Sequence, residues 1–460
     1  MRKNLALVLF TILFFAFSST IYAEAPNWSQ PVFGVVEAGV RPAEAQQLGA
    51  QWERLSFHWN LFQPSGPNDF NAEAISPGAL ESARSAGRQV VGLIQGTPNW
   101  ASANGSTASV PNGLDLPYND PNNYFANFVT RLVSHYSAQG IHHWVIWNEP
   151  DIRPGEGHVE FEGEVEDYYR LLKSGYLAAR AADPGAHIQM AGLTWWYDTQ
   201  HGREPYLQRL LSVIAADPEA AQNNWYFHGI SIHAYFTTSS IWYLTNSYRH
   251  ILGEFGLAGK QIWLSEFNAS PRRDPAASIG APFQLSLEQQ ADFIVQASAL
   301  ALAGGVDRLA VYKLYDNDFV PGNTEPWGLV RADGSLRPAF NTYQQVIASF
   351  RNASDVRRYA TEEATLVTVQ VGGRTIHVMW NDTFNAGEFL INAQGITVTD
   401  ALGNQWNPPD GAPTVIDAPA AEQVDMPGVV VAGPVRMVTL PSGPRSVSFR
   451  SASGTVTQLN

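Results

Sequence analysis

Short apolar runs alternate with amphipathic stretches along most of the chain, from about residue 31 to residue 350. Several runs are apolar on both faces, which is typical of parallel strands covered by helices. The predicted strands are Pro31–Val36, Trp52–Trp59, Val90–Ile94, Trp144–Trp147, Ile188–Leu193, Ile230–Tyr235, Ile262–Ser265 and Leu309–Leu314. Each is followed by apolar residues at helical spacing. Eight such units predict an α/β fold of the (β/α)8 barrel type.

Two predicted helix starts carry recognisable capping signals. Asp120 followed by Pro121 predicts an N-cap and a first helical residue. Ser286 with Gln289 predicts a capping box for a helix that reaches Leu302. An open doubly wound sheet is the alternative to the barrel. Its nucleotide-binding form has a glycine-rich phosphate turn after the first strand, which this sequence lacks.

After Phe350 the pattern changes to strands separated by turns, with no helical spacing. Thr365–Val371 and Arg374–Trp380, joined by two glycines, predict a hairpin. Further strand candidates are Phe389–Asn392, Ile396–Thr399, Val429–Val431, Val435–Leu440 and Ser446–Arg450. We expect a barrel over residues 26–350 and a small all-β, sandwich-like domain over residues 351–460, with the boundary near 352–358.

The N-terminus has the pattern of an export signal. Arg2 and Lys3 precede the run Leu5–Phe17, which is apolar except for one threonine, and Ala23-Glu24-Ala25 has the A-x-A form of a cleavage site. The run is shorter than the ~20 residues of a membrane span. We expect residues 1–25 to be a signal peptide, cleaved after Ala25 or Ala23. The mature chain would then be secreted or periplasmic, without a membrane anchor.

The amino-acid composition excludes several kinds of partner and reactive group. The chain has 460 residues, of which 45% are hydrophobic and 15% charged, so it can bury a large core. A net charge of −14 disfavours a nucleic-acid partner. The absence of cysteine excludes disulfides, thiolate metal sites and cysteine nucleophiles. The 14 tryptophans supply flat faces that suit sugar rings, although they also suit a large core.

Two carboxylates stand at predicted strand ends. Glu149 follows the fourth strand in Trp147-Asn148-Glu149-Pro150-Asp151, and Glu266 follows the seventh in Leu264-Ser265-Glu266-Phe267-Asn268. In a barrel of this type, catalytic groups lie at the C-terminal ends of the strands, so the two share one end of the barrel. Taken alone, either residue is explained equally well as an ordinary surface carboxylate. Together they form the pair that glycoside hydrolysis requires, although spacing leaves open which is acid and which is nucleophile.

With these motifs the barrel resembles the clan A retaining glycoside hydrolases, in which an Asn-Glu pair ends strand four and a second Glu ends strand seven. The resemblance implies that Glu149 is the general acid/base and Glu266 the nucleophile. It also implies that Asn148 binds the sugar hydroxyl next to the anomeric carbon.

Three further residues look like features of that clan. Arg54 resembles its arginine near the nucleophile. His233 and Tyr235 resemble its His-x-Tyr pair, in which the tyrosine bonds the nucleophile. Ordinary barrel packing is the alternative for all three.

Within the clan, the two glutamate motifs are most like glycoside hydrolase family 39. That family includes β-xylosidases, α-L-iduronidases and some exopolysaccharide hydrolases. The appended β domain is also like theirs. Many clan members have a tryptophan on strand eight beneath the sugar, where this chain has Tyr312. We expect Tyr312 to substitute for it, or the pocket to differ.

Tryptophans on the predicted catalytic end are candidates for stacking on sugar rings. Trp195 and Trp196 follow the fifth strand, Trp327 follows the eighth, and Trp100 follows the third. Anchoring of loops is an equally good explanation, because pocket walls and loop anchors have the same composition.

The sequence therefore predicts an exported retaining glycoside hydrolase that acts on a carbohydrate by double displacement. We expect it to need neither a cofactor nor a metal. A non-catalytic glycan-binding protein on a barrel scaffold and a transglycosylase are the alternatives. The sugar, the linkage, endo or exo action and the oligomeric state stay open.

Overall fold

The computed structural model describes residue 28 and residues 31–277, 283–316, 326–424, 429–440 and 445–460. The predicted export signal, residues 1–25, lies outside this part of the chain. Among the described residues, no helix is both long and apolar enough to span a membrane.

Eight parallel strands follow one another around a closed barrel, and β1 pairs with both β2 and β8. The predicted (β/α)8 barrel is therefore confirmed. Its strands are β1 Phe33–Val36, β2 Trp52–His58, β3 Gln89–Gln95, β4 His143–Ile146, β5 His187–Leu193, β6 Gly229–Tyr235, β7 Gln261–Asn268 and β8 Arg308–Val311.

Helices lie between and after these strands, and short 3₁₀ turns cover 38–40, 72–74, 99–101 and 221–226. The helices are α1 Pro42–Leu48, α2 Trp59–Phe62, α3 Pro77–Ser85, α4 Tyr124–Ser137, α5 Val165–Ala182, α6 Trp196–Gln200, α7 Tyr206–Ala215, α8 Thr238–Glu254, α9 Leu287–Ala303 and α10 Pro338–Phe350.

One of the two predicted helix starts is confirmed and the other is wrong. At α9 the Ser286 side chain accepts from the Gln289 N–H, and the Gln289 side chain accepts from the Ser286 N–H. At α4 the N-cap is Asn123, not Asp120. Asn123 is buried, and its amide also donates to the Leu116 carbonyl. Tertiary contacts therefore select Asn123 over Asp120, since both side chains are able to cap.

The bottom of the barrel is filled by indole rings from inward-facing strand positions. The rings of Trp52 and Trp263 lie 5.7 Å apart, and both side chains are fully buried. Glycine at position 34 makes room for one of them, because a Cβ there would lie 2.3 Å from the Trp52 ring. The barrel interior is therefore a packed core below the strand ends.

The C-terminal region is an all-β domain, as the pattern predicts. Its strands form a six-stranded sheet in the order β14-β13-β18-β11-β10-β9 and a four-stranded sheet in the order β15-β12-β19-β20. A short pair, β16 and β17, completes the described part. The strands are β9 Ala353–Ala360, β10 Ala364–Val371, β11 Arg374–Asn381, β12 Gly387–Ile391, β13 Val398–Thr399, β14 Gln405–Trp406, β15 Thr414–Ala418, β16 Glu422–Gln423, β17 Val430–Val431, β18 Arg436–Leu440, β19 Val447–Arg450 and β20 Val456–Gln458.

The six-stranded sheet is buried on both faces. On β10, Ala364 and Leu366 join the core between the two sheets, whereas Val367, Val369 and Val371 join the core of the barrel. Successive side chains of a strand point to opposite faces, so this one strand connects both cores. The β domain is thereby packed directly against the barrel.

Candidate active site

Glu266 lies inside β7, which extends three residues past the predicted strand end at Ser265. Its side chain is buried, and both of its oxygens accept hydrogen bonds. Arg54, from β2, donates to Oε1, and Tyr235, from β6, donates to Oε2. Three strands of the barrel therefore converge on this carboxylate.

The surroundings of Glu266 favour its ionised form. Burial by itself raises the pKa of this carboxyl. The charges of His233 and Arg54, and the hydrogen bonds from Tyr235 and Arg54, outweigh burial and hold the pKa below its usual value. The arrangement thus keeps a buried carboxylate charged, as a nucleophile must be.

Glu149 stands in a turn just beyond β4. Both Trp147 and Glu149 have positive φ, 72° and 41°, a region that residues other than glycine rarely occupy. The turn is held by the neighbouring strand, because the Glu149 N–H donates to the Gly192 carbonyl at 3.1 Å. Such backbone conformations persist only where surrounding contacts enforce them, and they are common at functional sites.

The imidazole of His233 lies between the two carboxylates. Its Nδ1 is 2.7 Å from Oε1 of Glu149 and 3.6 Å from Oε2 of Glu266. Its Nε2 is 3.1 Å from the Ser265 hydroxyl. A glycine on β5 makes space for the ring, since a Cβ on Gly192 would lie 1.9 Å from His233 Nε2.

Glu149, His233 and Glu266 each offer one ligand atom, and these three atoms lie within 4.8 Å of one another. Among the described residues, this is the one group of histidine and acidic side chains spaced to hold a metal ion. However, Arg54 and Tyr235 already occupy both oxygens of Glu266. The cluster therefore fits a charge-balanced pair of carboxylates better than a metal site. The spacing of Glu149 and Glu266 can be compared with that in retaining glycosidases, in which the two carboxyl groups are only ~5–5.5 Å apart.

Asn148 and Asp151 flank Glu149 and are buried. Among the described residues, the buried side-chain oxygen of Asn148 has no hydrogen-bond partner. Oδ2 of Asp151 accepts from the Thr194 N–H, the Thr194 hydroxyl and the Trp195 N–H at 2.7–3.1 Å. Burial, followed by the charge of Glu149, raises the pKa of Asp151 to about 6. Asp151 thus ties the Glu149 turn to the end of β5.

Three aromatic rings meet beside Glu266. The Trp327 ring lies 4.9 Å from that of Tyr235 and 6.1 Å from that of Tyr312, centroid to centroid. The Asn268 amide donates to the carbonyls of both Tyr312 and Trp327 and so fixes the two together. The structure therefore brings Tyr312 and Trp327 to the carboxylate site.

The other candidate tryptophans make different contacts. Trp195 packs edge-on against Tyr248 of α8, with centroids 5.3 Å apart, and Trp196 begins α6 with half of its surface exposed. Trp100 donates to the Gln63 carbonyl at 2.7 Å, which makes it a loop anchor.

Sequence reasoning missed several charged residues near the site. Glu37 directly follows β1 and Lys313 follows β8, so the strand-end rule would have found both. Asp151 and Glu160 lie in the connection after β4. The Trp147 indole donates to the Glu160 carbonyl at 2.7 Å, and burial, together with the charge of Glu149, raises the pKa of Glu160. No sequence signal distinguishes Glu160 from other loop carboxylates.

No protein-family model matches the chain, and no curated protein matches its sequence. Solved structures of glycoside hydrolases do match it. The chain is similar to a family 39 glycoside hydrolase from the gut symbiont Bacteroides cellulosilyticus WH2, with 13% identity and a TM-score of 0.65, over 89% of this chain and 81% of that chain.

Two further solved structures show the same likeness. A GH30 endoxylanase from Clostridium papyrosolvens C71 has 13% identity and a TM-score of 0.57, over 90% of this chain and 97% of that chain. A monomeric β-xylosidase from Caulobacter crescentus CB15 has 12% identity and a TM-score of 0.55, over 92% of this chain and 98% of that chain. At such identities the likeness shows the fold. The expected resemblance to clan A glycoside hydrolases is therefore confirmed at the level of the fold.

Proposed function

We propose that this protein is a retaining glycoside hydrolase that cleaves a poly- or oligosaccharide by double displacement. One observation carries the proposal. A buried carboxylate, Glu266, accepts hydrogen bonds from Arg54 and Tyr235, and an oxygen of a second carboxylate, Glu149, lies within 4.8 Å of it. These are the two carboxyl groups that the two-carboxylate reaction requires. The barrel fold shared with solved glycoside hydrolases supports the same conclusion.

In the first step, an oxygen of Glu266 attacks the anomeric carbon, and the bond from that carbon to the glycosidic oxygen breaks. Glu149 transfers its proton to the departing oxygen. In the second step, Glu149 takes a proton from water, whose oxygen attacks the same carbon and displaces Glu266. Two inversions restore the original configuration, and both residues return to their starting protonation states.

The proposed substrate contacts follow from the placement of the remaining residues. Asn148 has a buried side-chain oxygen free for a sugar hydroxyl next to the reacting carbon. His233 lies close enough to Glu149 to orient its carboxyl. We propose that Tyr312 and Trp327 form an aromatic surface for the sugar beside Glu266, and that Trp195 and Trp196 contact the leaving group.

The test compares three variants on a panel of aryl glycosides and polysaccharides. Glu266→Gln should lose at least about 1,000-fold in kcat/KM on every substrate. Glu149→Gln should lose far less with a dinitrophenyl leaving group than with an alkyl glycoside, because a good leaving group needs no proton.

Glu53→Gln is the matched control. Glu53 is also buried and paired with an arginine, Arg88, but its side chain lies on the opposite face of β2 from Arg54. The Glu53→Gln variant should keep wild-type activity. Equal activity of Glu266→Gln and wild type would refute the mechanism. Glycan binding without turnover would favour the binding-protein alternative, and efficient chain lengthening with added acceptor sugar would favour a transglycosylase.

We also propose that the protein is exported, on the strength of the residue 1–25 pattern. The mature chain would comprise a catalytic unit, 26–350, and a β domain, 351–460. N-terminal sequencing of protein collected from the culture medium or periplasm should begin at Glu24 or Pro26. An uncleaved N-terminus in the cytosol would contradict this proposal.

A further inference from the structure

Glu37 is a carboxylate at the catalytic end of the barrel that the proposed reaction does not use. It directly follows β1 and has a positive φ of 60°. Its N–H donates to the Arg54 carbonyl at 3.0 Å, which fixes it beside the strand that carries Arg54. About a fifth of the side chain, 22%, is exposed, so a ligand can reach it.

Lys313 lies behind Glu37. Its side chain is 1% exposed, and its Nζ is 3.7 Å from Oε2 of Glu37 and 5.6 Å from the centroid of the Tyr312 ring. The two strand ends are held together by the Leu314 N–H, which donates to the Val36 carbonyl at 3.1 Å. Glu37 is therefore the accessible member of an ion pair that lies next to the Tyr312 surface.

Glu37 also interacts electrostatically with the catalytic centre. Burial raises the pKa of its carboxyl, the charges of Lys313 and Arg54 lower it, and the charge of Glu266 raises it. The Glu37 backbone is hydrogen-bonded to that of Arg54, and the Arg54 guanidinium donates to Glu266. Glu37 therefore lies at the same strand ends as the proposed nucleophile.

The charges around the site suit a neutral sugar. Arg54 is paired with Glu266 and Lys313 with Glu37. His233 lies between Glu149 and Glu266, so each of these three basic groups already faces a carboxylate. Asp151 and Glu160 add further acidic groups near Glu149. A sugar carboxylate would meet this excess of acidic groups, whereas sugar hydroxyls can donate to carboxylate oxygens.

On the basis of the proposed hydrolase function, we propose that Glu37 is a specificity-determining residue that binds hydroxyl groups of the sugar attacked by Glu266. Lys313 is its positioning residue. The substrate class is then a neutral sugar at this position, with uronic acids excluded.

The first test compares wild type on 4-nitrophenyl glycosides of neutral sugars and on the corresponding uronides. The fastest neutral glycoside should exceed every uronide by at least about 100-fold in kcat/KM, because like charges at a buried site are strongly unfavourable. A uronide as the fastest substrate would overturn this inference while leaving the hydrolase proposal standing. Inactivity on all members, together with no release of reducing ends from the polysaccharide panel, would overturn both.

The second test uses the fastest neutral glycoside and its 3-deoxy and 4-deoxy analogues. Glu37→Gln should lower kcat/KM for the parent glycoside about 10- to 100-fold, the usual effect of losing a hydrogen bond to a charged group. It should lower kcat/KM much less for the analogue that lacks the bound hydroxyl. If the role of Glu37 were purely structural, Glu37→Gln would lower kcat/KM equally for all three substrates. That result would overturn the inference.

Two controls accompany this experiment. Glu53→Gln should leave the ratio of parent to deoxy substrate unchanged. Lys313→Met should reduce that ratio as Glu37→Gln does, and Lys313→Arg should restore part of it. An unchanged ratio in Lys313→Met would show that the lysine does not position Glu37.

Discussion

Glu266 is charged in a place where burial alone would favour its neutral form. The compensation comes from His233 and Arg54 as charges, and from Tyr235 and Arg54 as hydrogen-bond donors. These groups come from β2 and β6, on either side of the carboxylate in the barrel, and each can be removed separately. Their removal should therefore change the reactivity of the site before it changes the fold.

We expect Arg54→Met to move the acidic limb of the kcat/KM profile to higher pH. The variant loses a cation that lowers the pKa of Glu266, so that pKa rises and the carboxylate becomes protonated at a higher pH than in wild type. The measurement is kcat/KM between pH 3 and pH 8, with circular dichroism to verify folding. An acidic limb at the wild-type position would contradict the role of Arg54.

We expect Tyr235→Phe to lower kcat/KM about 10- to 100-fold, because Glu266 loses a charge-assisted hydrogen bond. Tyr343→Phe is the matched control. Its hydroxyl is also buried and donates to the Gly34 carbonyl at 2.8 Å, away from the carboxylates. The control should lose about 1 kcal/mol in free energy of unfolding without losing activity. Equal activity in both variants would argue against Tyr235 as a partner of the nucleophile.

Residue identities near the site were predictable in part. Glu149, Glu266 and Asn148 follow from strand ends and short motifs, and Arg54, His233 and Tyr235 from the resemblance. That His233 lies between the two glutamates was not predictable, because it requires a glycine on a neighbouring strand to make room for the ring. Glu160 carries no local signal, since its position depends on a long connection after β4.

Helix α9 is one of the elements through which the barrel holds the β domain. The Asp292 carboxylate accepts from the Val435 N–H at 2.8 Å, and the Gln296 amide donates to the Gly433 carbonyl at 2.9 Å. Burial raises the pKa of Asp292 to about 7. The contact between the domains therefore contains a titrating group.

We expect stability to fall as the pH rises from about 4 to about 7 through this carboxyl. In that range the folded protein retains a proton that the unfolded chain has lost, so each unit of pH costs up to about 1.4 kcal/mol. Asp292→Asn stays neutral and should lose this part of the slope, as measured by urea unfolding at several pH values. Gln296→Ala should lower stability without changing the slope. A slope in Asp292→Asn equal to that of wild type would contradict the assignment.

At the level of elements, periodicity located the barrel strands to within a few residues. Periodicity was less accurate where pairing with a neighbouring strand determines whether, and how far, a strand forms. The pattern did not predict strand β9, Ala353–Ala360, whose alternation is weak because it pairs at the sheet edge. β7 is longer than predicted because its polar end is buried against β6 and the site.

In the described part of the molecule, one apolar cluster runs across the barrel and the β domain, and a second fills the space between the two β sheets. Side chains of β10 and β11 pack in the same cluster as the barrel helices, and this cluster includes Val369, Val378 and Trp380. Separating the domains would expose this surface to water, at about 25 cal/mol for each Å² of apolar area. The β domain is therefore a structural part of the barrel unit.

We accordingly expect a single cooperative unfolding transition for the full-length protein. Differential scanning calorimetry should give one peak, with equal calorimetric and van't Hoff enthalpies. Val369→Asp, which places a charge in the shared core, should lower the midpoint while keeping one peak. Two separate transitions in wild type would show that the domains unfold independently.

The sequence by itself determined the fold class, the two-domain order and the pair of glutamates. These depend on local patterns, namely the alternation of apolar runs and the position of polar residues at strand ends. Tertiary structure alone decided which side chains surround those glutamates and how the β domain packs. It also decided that Glu37 and Lys313 lie together at the site. Such contacts join residues from different strands, and the pair of Glu37 and Lys313 forms only when barrel closure places β8 beside β1.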